Sequence, residues 1–440
     1  MKDVIVVGAG VGGAPLAAWL SKKGLDVVLI DAKPQEKIGD KVCGDAIGGH
    51  HFESTGIPPP SGEELLQTVK GIRIFSPSKK VVFHVVVEDL AGYMVNRLKF
   101  GQRLLHMALD NGAELMPDTK VSGPIVKNGT VVGVVTSRGE INAKVTVDAS
   151  GSAAVIRSRL PPEMYGNDNV LPTDLIAAYR EIIKYKLPES EYADIYMTVK
   201  YAPGGYVWEF PHGDETNVGL GVQMGKNYEN PKALYKRYIE TRPFASAKVE
   251  DAGGGVVPTR HLLWSLVGNG VVYVGDAACQ VNPVHGGGIG ITMEGALIAS
   301  KHIPVAIEKD DTSQRGLWGY TLEFNRVFGG KIGSLDIFRR FLQKVSDDEL
   351  NYGMENKLLK EEDVLKASMG EKLKLSIGDK ATRFFKGIGK LGFLRALSKT
   401  AKIMEKVKKL YAAYPETPDK LQEWISRVKP LFDEADRLEW

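Results

Sequence analysis

The sequence predicts an α/β protein, α+β overall, in which a nucleotide-binding unit is interleaved with an antiparallel β-sheet and followed by a helical region. Three observations support this. A glycine-rich turn joins a β-branched strand to an Ala/Leu-rich helix near the amino terminus, alternating strands dominate residues 192–222, and Lys/Glu-rich helical patterns follow residue 330. Strands that alternate with helices indicate a parallel sheet, whereas successive strands indicate antiparallel pairing.

The first element is a strand–turn–helix–strand unit. Residues 4–7 and 27–30 are apolar strands, and the second strand ends in Asp31. Between them, Gly8, Gly10 and Gly13 complete a G-x-G-x-x-G motif. Such glycines let a pyrophosphate approach a helix amino terminus, and the acid after the second strand can bind a ribose hydroxyl. In this context the motif predicts a Rossmann-like dinucleotide-binding domain.

The following elements alternate in the same way. We predict a helix over Arg97–Ala113, a hairpin over residues 121–136 around Asn128-Gly129, and a strand over residues 144–149 that ends in Asp-Ala-Ser-Gly. A later strand, residues 271–274, precedes a second glycine cluster and a helix. Gly275 and Asp276 can bond a polyol chain, and the amides of residues 286–288 can face an anion or an electron-rich ring.

Composition excludes several classes of protein. The 440 residues are 43% hydrophobic and 25% charged, which is typical of a soluble globular chain of about three domains. Two cysteines, Cys43 and Cys279, cannot form a disulfide framework and favour a cytoplasmic setting. None of the histidines has metal-ligand spacing, and the adjacent His50 and His51 are expected to diverge, so no metal site is predicted.

The two cysteines lie in different surroundings. Cys279 follows two alanines at the end of a core strand and is predicted to be structural. Cys43 lies in the polar loop GDKVCGDAIGG, residues 39–49, which is unusual because buried structural cysteines have apolar neighbours. Asp40 and Asp45 are expected to cap this loop.

These segments resemble, in order and over nearly the whole chain, the flavoprotein family that includes aromatic hydroxylases. The resemblance is closer to its archaeal geranylgeranyl (digeranylgeranylglycerophospholipid) reductase branch, on the segments GDKVCGDAIG, PGGYVWEFP, TNVGLGVQ, VVPTR and LDIFRRFLQ. One departure from the hydroxylases is informative: they carry Asp-Gly where this chain has Ser150-Gly151. That difference weakens a monooxygenase interpretation.

The resemblance implies FAD as cofactor and assigns residues to it. Gly8, Gly10, Gly13 and Asp31 would hold the adenosine half. Arg97, Gly275 and Asp276 would contact the pyrophosphate and ribityl portions. Gly286, Gly287 and Gly288 would line the isoalloxazine, and Cys43 and Gly44 would lie beside flavin and substrate.

The implied activity is that of an oxidoreductase acting on CH–CH groups. It would saturate C=C bonds of geranylgeranyl chains in archaeal membrane ether lipids or their precursors, with a hydride from reduced FAD and a proton. A flavin monooxygenase and a non-catalytic lipid or flavin carrier are the alternatives. The exact lipid stays open between a diphosphate, a phospholipid and a quinone tail, and the electron donor between a ferredoxin-like protein and NAD(P)H.

An aromatic wall gives this chemistry a place. If residues 206–210 form a strand, Tyr206, Trp208 and Phe210 share one face. Periodicity alone favours ordinary core packing, whereas the resemblance implies the wall of a lipid cavity. An isolated alkene accepts a hydride only if protonation gives it cationic character, which aromatic faces stabilise by about 0.5–2 kcal/mol each.

Two groups compete as the proton source. Cys43 is one, directly or through a water that it positions, because a thiol with a pKa of about 8.5 is mostly protonated at neutral pH. His285 is the other, since imidazole titrates near neutrality. Cys43 could instead be a small residue packed against the flavin, and His285 could serve only to shape the PVHGGG turn. Arg260 is interpreted as a structural or flavin-region residue.

The predicted domains are discontinuous. Residues 1–75, 96–170 and 266–330 form the FAD-binding domain, residues 76–95 and 171–265 the β-sheet substrate (lipid) domain, and residues 331–440 the helical domain.

The carboxyl-terminal region is strongly basic. Residues 380–409 carry ten Lys/Arg against one acid, so +9 here leaves −6 elsewhere in a chain of net charge +3. An amphipathic membrane-surface helix and a helical cap with a solvated face both fit. We therefore predict a cytoplasmic protein, with contact to the inner face of the cell membrane as the accompanying hypothesis. No nucleic-acid motif accompanies the patch.

Overall fold

The computed structural model describes residues 1–86, 92–164, 168–358, 361 and 390–440. The strands are β1 Lys2–Val7, β2 Val27–Ile30, β3 Ala46–Gly48, β4 Leu65–Val69, β5 Gly71–Phe75, β6 Val82–Val86, β7 Gly92–Val95, β8 Glu114–Met116, β9 Val121–Lys127, β10 Thr130–Thr136, β11 Gly139–Asp148, β12 Leu175–Ile183, β13 Tyr192–Tyr196, β14 Val207–His212, β15 Glu215–Gln223, β16 Val249–Pro258, β17 Val267–Gly268 and β18 Val271–Tyr273.

The helices complete the mixed α/β architecture that the sequence predicts. They are α1 Gly13–Lys22, α2 His50–Thr55, α3 Arg97–Asp110, α4 Pro231–Ile239, α5 Ile289–Glu308, α6 Gln314–Phe324, α7 Gly330–Leu342, α8 Asp347–Glu355, α9 Leu391–Ala412 and α10 Leu421–Asp436. A π-helical segment, Asn325–Gly329, joins α6 to α7.

The first sheet sets up the amino-terminal site. Its order is β17-β18-β11-β1-β2-β8, and the β9–β10 hairpin extends it from β11. β1 pairs in parallel with β2 and β11, and β11 pairs in parallel with β18, so Val7 lies beside Ile30 and Asp148. Since the carboxyl ends of these four strands coincide, the loops that follow them meet at one edge, where open α/β sheets bind ligands.

Burial explains why these segments form strands and helices. Residues 4–7 and 27–30 are almost wholly buried, as expected for parallel strands covered on both faces. Helices α1, α3 and α5 supply the cover, and α1 packs against both of the others. The predicted strand–turn–helix–strand unit is confirmed.

The second sheet carries the aromatic wall. Its order is β16-β12-β15-β14-β13-β5-β6, antiparallel except where β13 runs parallel to β5. In the β14–β15 hairpin, Trp208 lies opposite Gly219 and Phe210 opposite Asn217. A smaller sheet, β3-β7-β4, lies alongside. β5 joins the second sheet although residues up to 75 were assigned to the first domain; the three-domain division itself stays a prediction.

The carboxyl-terminal helices form a packed layer. The apolar side chains of α9, among them Phe393, Leu397, Ile403 and Val407, are buried, largely against α7. Exposed cations on its outer face include Arg395, Lys399 and Lys402. The described part of the basic region is therefore built as a helical cap, whereas residues 380–389 lie outside the described residues. In the described part of the chain, no helix combines the length and apolar character needed to cross a bilayer.

Candidate flavin and substrate site

The three glycines of the first motif have three different physical reasons to be glycine. Gly8 has a φ of +100°, and a Cβ there would lie 2.4 Å from the Ala149 carbonyl oxygen. A Cβ on Gly13 would lie 1.8 Å from the Gly8 carbonyl oxygen, because α1 crosses β1 closely. Gly10 is exposed, and a Cβ there would meet nothing within 4 Å. Gly10 therefore faces open space in which a ligand can approach the backbone.

The rest of this turn suits an anionic ligand. No side chain caps the amino terminus of α1, but the Ala14 amide already donates to the Gly10 carbonyl oxygen and Pro15 has no amide hydrogen, so it is mainly the positive helix end that suits a phosphate. Asp31 follows β2, where Oδ2 accepts from the Ala9 amide at 2.8 Å and Oδ1 from the Lys33 amide at 2.9 Å. The half-exposed Asp31 carboxylate is thus fixed beside the glycine turn, as ribose binding requires.

The second glycine cluster comes close to the first. Gly275 has a φ of +71° and leads into Asp276, whose Oδ2 pairs with Lys41 Nζ at 3.0 Å. Asp276 also lies next to Gly151 and Gly288, because a Cβ on either glycine would be within 3.9 Å of its carboxylate. Gly288 caps α5 without a side-chain partner. The loops after β11 and β18 and the start of α5 therefore surround one space.

The run Gly286-Gly287-Gly288 connects this space to the aromatic wall. The Gly287 amide donates to His285 Nδ1 at 3.1 Å, and Tyr206 Oη donates to the His285 carbonyl oxygen at 2.6 Å. His285 is exposed at this turn. The surrounding protein, and then the charge of Lys331, lower the pKa of His285 to about 4. A neutral imidazole that accepts a backbone proton is a poor acid near pH 7, so the geometry favours the turn-shaping role.

The loop that carries Cys43 packs directly on the wall. Tyr206, Trp208 and Phe210 do share one face: neighbouring ring centroids are 6.2 and 6.3 Å apart. A Cβ on Gly44 would lie 3.1 Å from the Phe210 ring and 3.9 Å from Trp208 Nε1. Cys43 itself is half-buried. The predicted thiol and the predicted aromatic residues are therefore parts of one site.

Asn217, which the sequence analysis did not single out, holds these parts together. Its Oδ1 accepts from Trp208 Nε1 at 2.9 Å, and its Nδ2 donates to the Cys43 carbonyl oxygen at 2.8 Å and to Asp45 Oδ2 at 2.9 Å. Asn217 is fully buried on β15. A polar residue inside the apolar run TNVGLGVQ was the available signal, because buried amides need partners.

Arg97 lies close to this loop and at the start of α3. Its guanidinium is almost buried, and Nε has no hydrogen-bond partner among the described residues. α3 is pressed against the start of the loop, since a Cβ on Gly101 would lie 2.2 Å from the Gly39 Cα. A buried donor without a partner fits a ligand that carries hydrogen-bond acceptors.

Cys279 behaves as the sequence predicts. It is buried in the main core with a φ of +57°, and burial raises the pKa of its thiol to about 11. Arg260 is likewise buried, where Nη1 donates to the Asn169 carbonyl oxygen at 3.1 Å and lies 3.7 Å from Asp174. These contacts fit the structural role among those considered for Arg260.

The expectation that His50 and His51 diverge is wrong. Their ring centroids lie 3.9 Å apart at the start of α2. His51 Nδ1 pairs with Glu294 Oε1 at 2.5 Å. Among the described residues, no cluster of three or more His, Cys, Asp or Glu side chains could hold a metal ion.

A cavity of about 1270 Å³ lies away from this site, between the second sheet and the carboxyl-terminal helices, and Arg260, Arg339 and Arg340 are among its polar lining residues. None of the residues predicted to bind flavin or substrate lines it. That cavity therefore does not mark the site, whereas the glycines, the open helix termini and the contact of Gly44 with the aromatic wall do.

These residues fit an FAD molecule. The exposed Gly10, the uncapped termini of α1 and α5 and the unpartnered Arg97 Nε are the features that suit it. The Cys43 loop links them to the aromatic wall, since Lys41 pairs with Asp276 and Gly44 packs on Phe210. A pyrophosphate at α1 would leave the rest of an elongated dinucleotide to run toward residues 275–288.

Comparison with known proteins agrees with this two-part site. Residues 3–171 match the FAD dependent oxidoreductase family, and residues 174–257 match the geranylgeranyl reductase catalytic domain. A digeranylgeranylglycerophospholipid reductase of Sulfolobus acidocaldarius is 40% identical over 99% of this chain and 98% of its own length. Another, of Methanothrix thermoacetophila, is 33% identical over 85% of this chain and 95% of its own.

A solved structure supports the fold. A geranylgeranyl bacteriochlorophyll reductase-like protein of Thermoplasma acidophilum superposes with a TM-score of 0.74 at 24% identity. The match covers 98% of this chain and 99% of that one. The shared architecture therefore extends over the carboxyl-terminal helices as well as the two sheets.

Proposed function

The chain belongs to the digeranylgeranylglycerophospholipid reductase family, and on that premise we propose that it is an FAD-dependent reductase of geranylgeranyl chains. It saturates C=C bonds in membrane ether lipids or their precursors. The observation that carries the proposal is the packing of the Cys43–Gly44 loop on the face of Trp208 and Phe210, at the end of the glycine-lined site.

The cofactor is FAD in this proposal. Gly8, Gly10, Gly13 and Asp31 hold its adenosine half, and Arg97, Gly275 and Asp276 its central part. Gly286, Gly287 and Gly288 face the ring beside Cys43 and Gly44. When bound and reduced, FAD supplies a hydride; the described residues bind it and keep the alkene beside it.

The aromatic wall serves the protonated alkene. Trp208 and Phe210 are buried, with less than a tenth of either residue exposed, and pack with Val69, Met94 and Ile195, so water is kept from this part of the site. The ring faces stabilise positive charge on the more substituted carbon, and exclusion of water protects that carbon from hydration. Tyr206 closes the wall beside residue 285, where its hydroxyl donates to the His285 carbonyl oxygen. Burial raises the pKa of this hydroxyl and keeps it neutral.

The proton comes from the Cys43 loop. Cys43 is half-buried and precedes Gly44, which packs on the wall, so its thiol or a water that it holds is the proposed donor. His285 is the weaker candidate because its lowered pKa leaves it neutral.

The remaining parts of the proposal concern partners. Electrons arrive from a ferredoxin-like protein or NAD(P)H. The enzyme is cytoplasmic and touches the inner face of the membrane with the exposed cations of α9, because its substrate is a lipid and each cation near an anionic surface contributes about 1 kcal/mol.

A mass measurement tests the function. Purified yellow protein is reduced with dithionite without oxygen, mixed with a geranylgeranyl ether phospholipid, and the lipid mass is followed. Successive gains of two hydrogens support the proposal. Gain of an oxygen atom by the lipid, only when air and NADPH are admitted, supports the monooxygenase alternative and refutes the proposed reductase. Gly10→Ala, expected to retain little FAD, is the control.

A further inference from the structure

Asp45 is a buried carboxyl group with an unused oxygen atom beside Cys43. Only 5% of its side chain is exposed, and its backbone has a φ of +64°. Oδ2 accepts from Asn217, whose other amide hydrogen holds the Cys43 carbonyl oxygen. Oδ1 is buried and has no partner among the described residues. Asp45 was expected to cap the loop, but Oδ2 accepts from the Asn217 side chain and neither oxygen accepts from a backbone amide among the described residues.

The groups around Asp45 come from five elements. Arg97 starts α3, Arg180 lies on β12, Asn217 on β15, and Asp251 on β16, where it pairs with Arg180 at 2.6 Å. His212 ends β14, and its Nε2 is 3.7 Å from Asp45 Oδ2. Burial raises the pKa of Asp45 to about 7, and the charges of the two arginines oppose this only in part. The carboxyl group therefore exchanges a proton near neutral pH.

A route leads from Asp45 to solvent. The other His212 nitrogen, Nδ1, is 3.5 Å from Glu215 Oε2, and Glu215 is a quarter exposed beside Lys184. Burial lowers the pKa of His212, so its ring is neutral and can take up and release one proton. Both separations exceed hydrogen-bond length, so the ring must turn or recruit a water to pass the proton.

We propose that Asp45 stores the proton used at the Cys43 loop and that His212 and Glu215 return it from solvent. The proposal rests on the proposed function and deepens it. When bound and reduced, FAD would supply a hydride to one alkene carbon, while Cys43 or its water gives a proton to the other. Asp45 gives its proton to the donor in the same step, and its carboxylate regains a proton through His212 and Glu215. The net uptake is one hydride and one solvent proton.

The kinetic experiment separates storage from resupply. Holoenzyme reduced without oxygen is mixed with geranylgeranyl ether phospholipid in micelles, and flavin reoxidation and lipid mass are followed. One series records the first turnover only, and a second, with excess dithionite, records the later turnovers. Asp45→Asn keeps the size and tolerates positive φ but cannot give a proton. Asp214→Asn, an exposed acid on the same hairpin, is the matched control.

The expected results differ for the two positions. In the wild type, the first-turnover rate falls as pH rises through about 7, because the protonated form of Asp45 is the active one. Asp45→Asn removes that inflection and lowers the rate about 10–100-fold, with unchanged FAD content. His212→Gln spares the first turnover and slows later ones. An Asp45→Asn enzyme that keeps the inflection and stays within twofold of Asp214→Asn overturns the proposal.

An infrared measurement does not depend on lipid reduction. The difference spectrum between about pH 6 and about pH 8 should contain a protonated-carboxyl band in the wild type and in Asp214→Asn, and none in Asp45→Asn. Absence of the wild-type band shows that Asp45 does not change its protonation between these pH values and overturns the proposal. A wild type with the band that reduces no alkene instead refutes the proposed function, and the band still supports Asp45 as the proton store.

Discussion

Replacement of Trp208 tests the role of the aromatic wall. The Trp208 ring lies between Tyr206 and Phe210, and its Nε1 donates to Asn217 Oδ1 at 2.9 Å. A change to leucine alone is ambiguous, because it removes both the aromatic face and this hydrogen bond. Trp208→Phe removes the same hydrogen bond and keeps an aromatic face, so the two variants should be compared with each other.

The magnitude follows from this comparison. Both variants leave Asn217 Oδ1 without its donor, which costs about 1–3 kcal/mol in each. They differ in the cation–π term of about 0.5–2 kcal/mol. At about 1.4 kcal/mol per factor of ten, Trp208→Leu should reduce the alkene about 2–30 times more slowly than Trp208→Phe.

The assay measures two quantities on the same preparations. The first is the single-turnover rate of lipid reduction by chemically reduced enzyme, and the second is FAD content from the absorbance ratio. We expect equal FAD content and unequal rates. Equal rates within twofold, or rate losses that track FAD loss, would refute the idea that the wall stabilises positive charge.

Three further predictions follow from the packing and the charges. Gly13→Ala should lower the unfolding temperature of the FAD-free protein, because its Cβ would meet a carbonyl oxygen at 1.8 Å. Gly10→Ala should leave that temperature unchanged and reduce FAD retention, because its Cβ would enter the open space beside the turn. Thermal scans measure the first effect and flavin absorbance the second. Alkylation of the native protein should label Cys43 and spare the buried Cys279, as peptide mass mapping would show; equal labelling would contradict the assignment. Asp336→Asn leaves two nearly buried arginines of α7 without their carboxylate and should lower the free energy of unfolding by about 3–5 kcal/mol in urea. Burial opposes ionisation of Asp336, but the arginine charges prevail and hold its pKa well below the usual range. The stabilisation by ionised Asp336 is therefore full above about pH 4 and is lost as pH falls further. The variant should lack this pH-dependent part of its free energy of unfolding.

Local pattern was sufficient for the nucleotide-binding unit. The strand over residues 4–7, the turn at Gly8–Gly13 and the strand that ends at Asp31 are contiguous, so each glycine and the acid act on neighbours a few residues away. The alternation of Tyr206, Trp208 and Phe210 is equally local, because strand geometry alone places them on one face.

The cytoplasmic prediction and the identity of the lipid come from composition and resemblance rather than from pattern. For the basic region, the sequence left two interpretations open, since an amphipathic helix looks the same on a bilayer and on another helix. The burial of Phe393 and Leu397 shows that the apolar face of α9 packs within the protein, while its cations stay exposed, so membrane contact through those cations stays a proposal.

By itself, the sequence determined the fold class, the FAD-type glycine turns and the aromatic face, because each depends on short-range periodicity or on one contiguous motif. Only the tertiary structure decided that Gly44 touches Phe210 and that Asn217 joins Trp208, Cys43 and Asp45. Asn217 is about 170 positions from Cys43 and Asp45, and hydrogen bonds over such separations exist only once the Cys43 loop has packed on the second sheet. The same packing removes Asp45 from water and so gives an ordinary loop aspartate its unusual proton affinity.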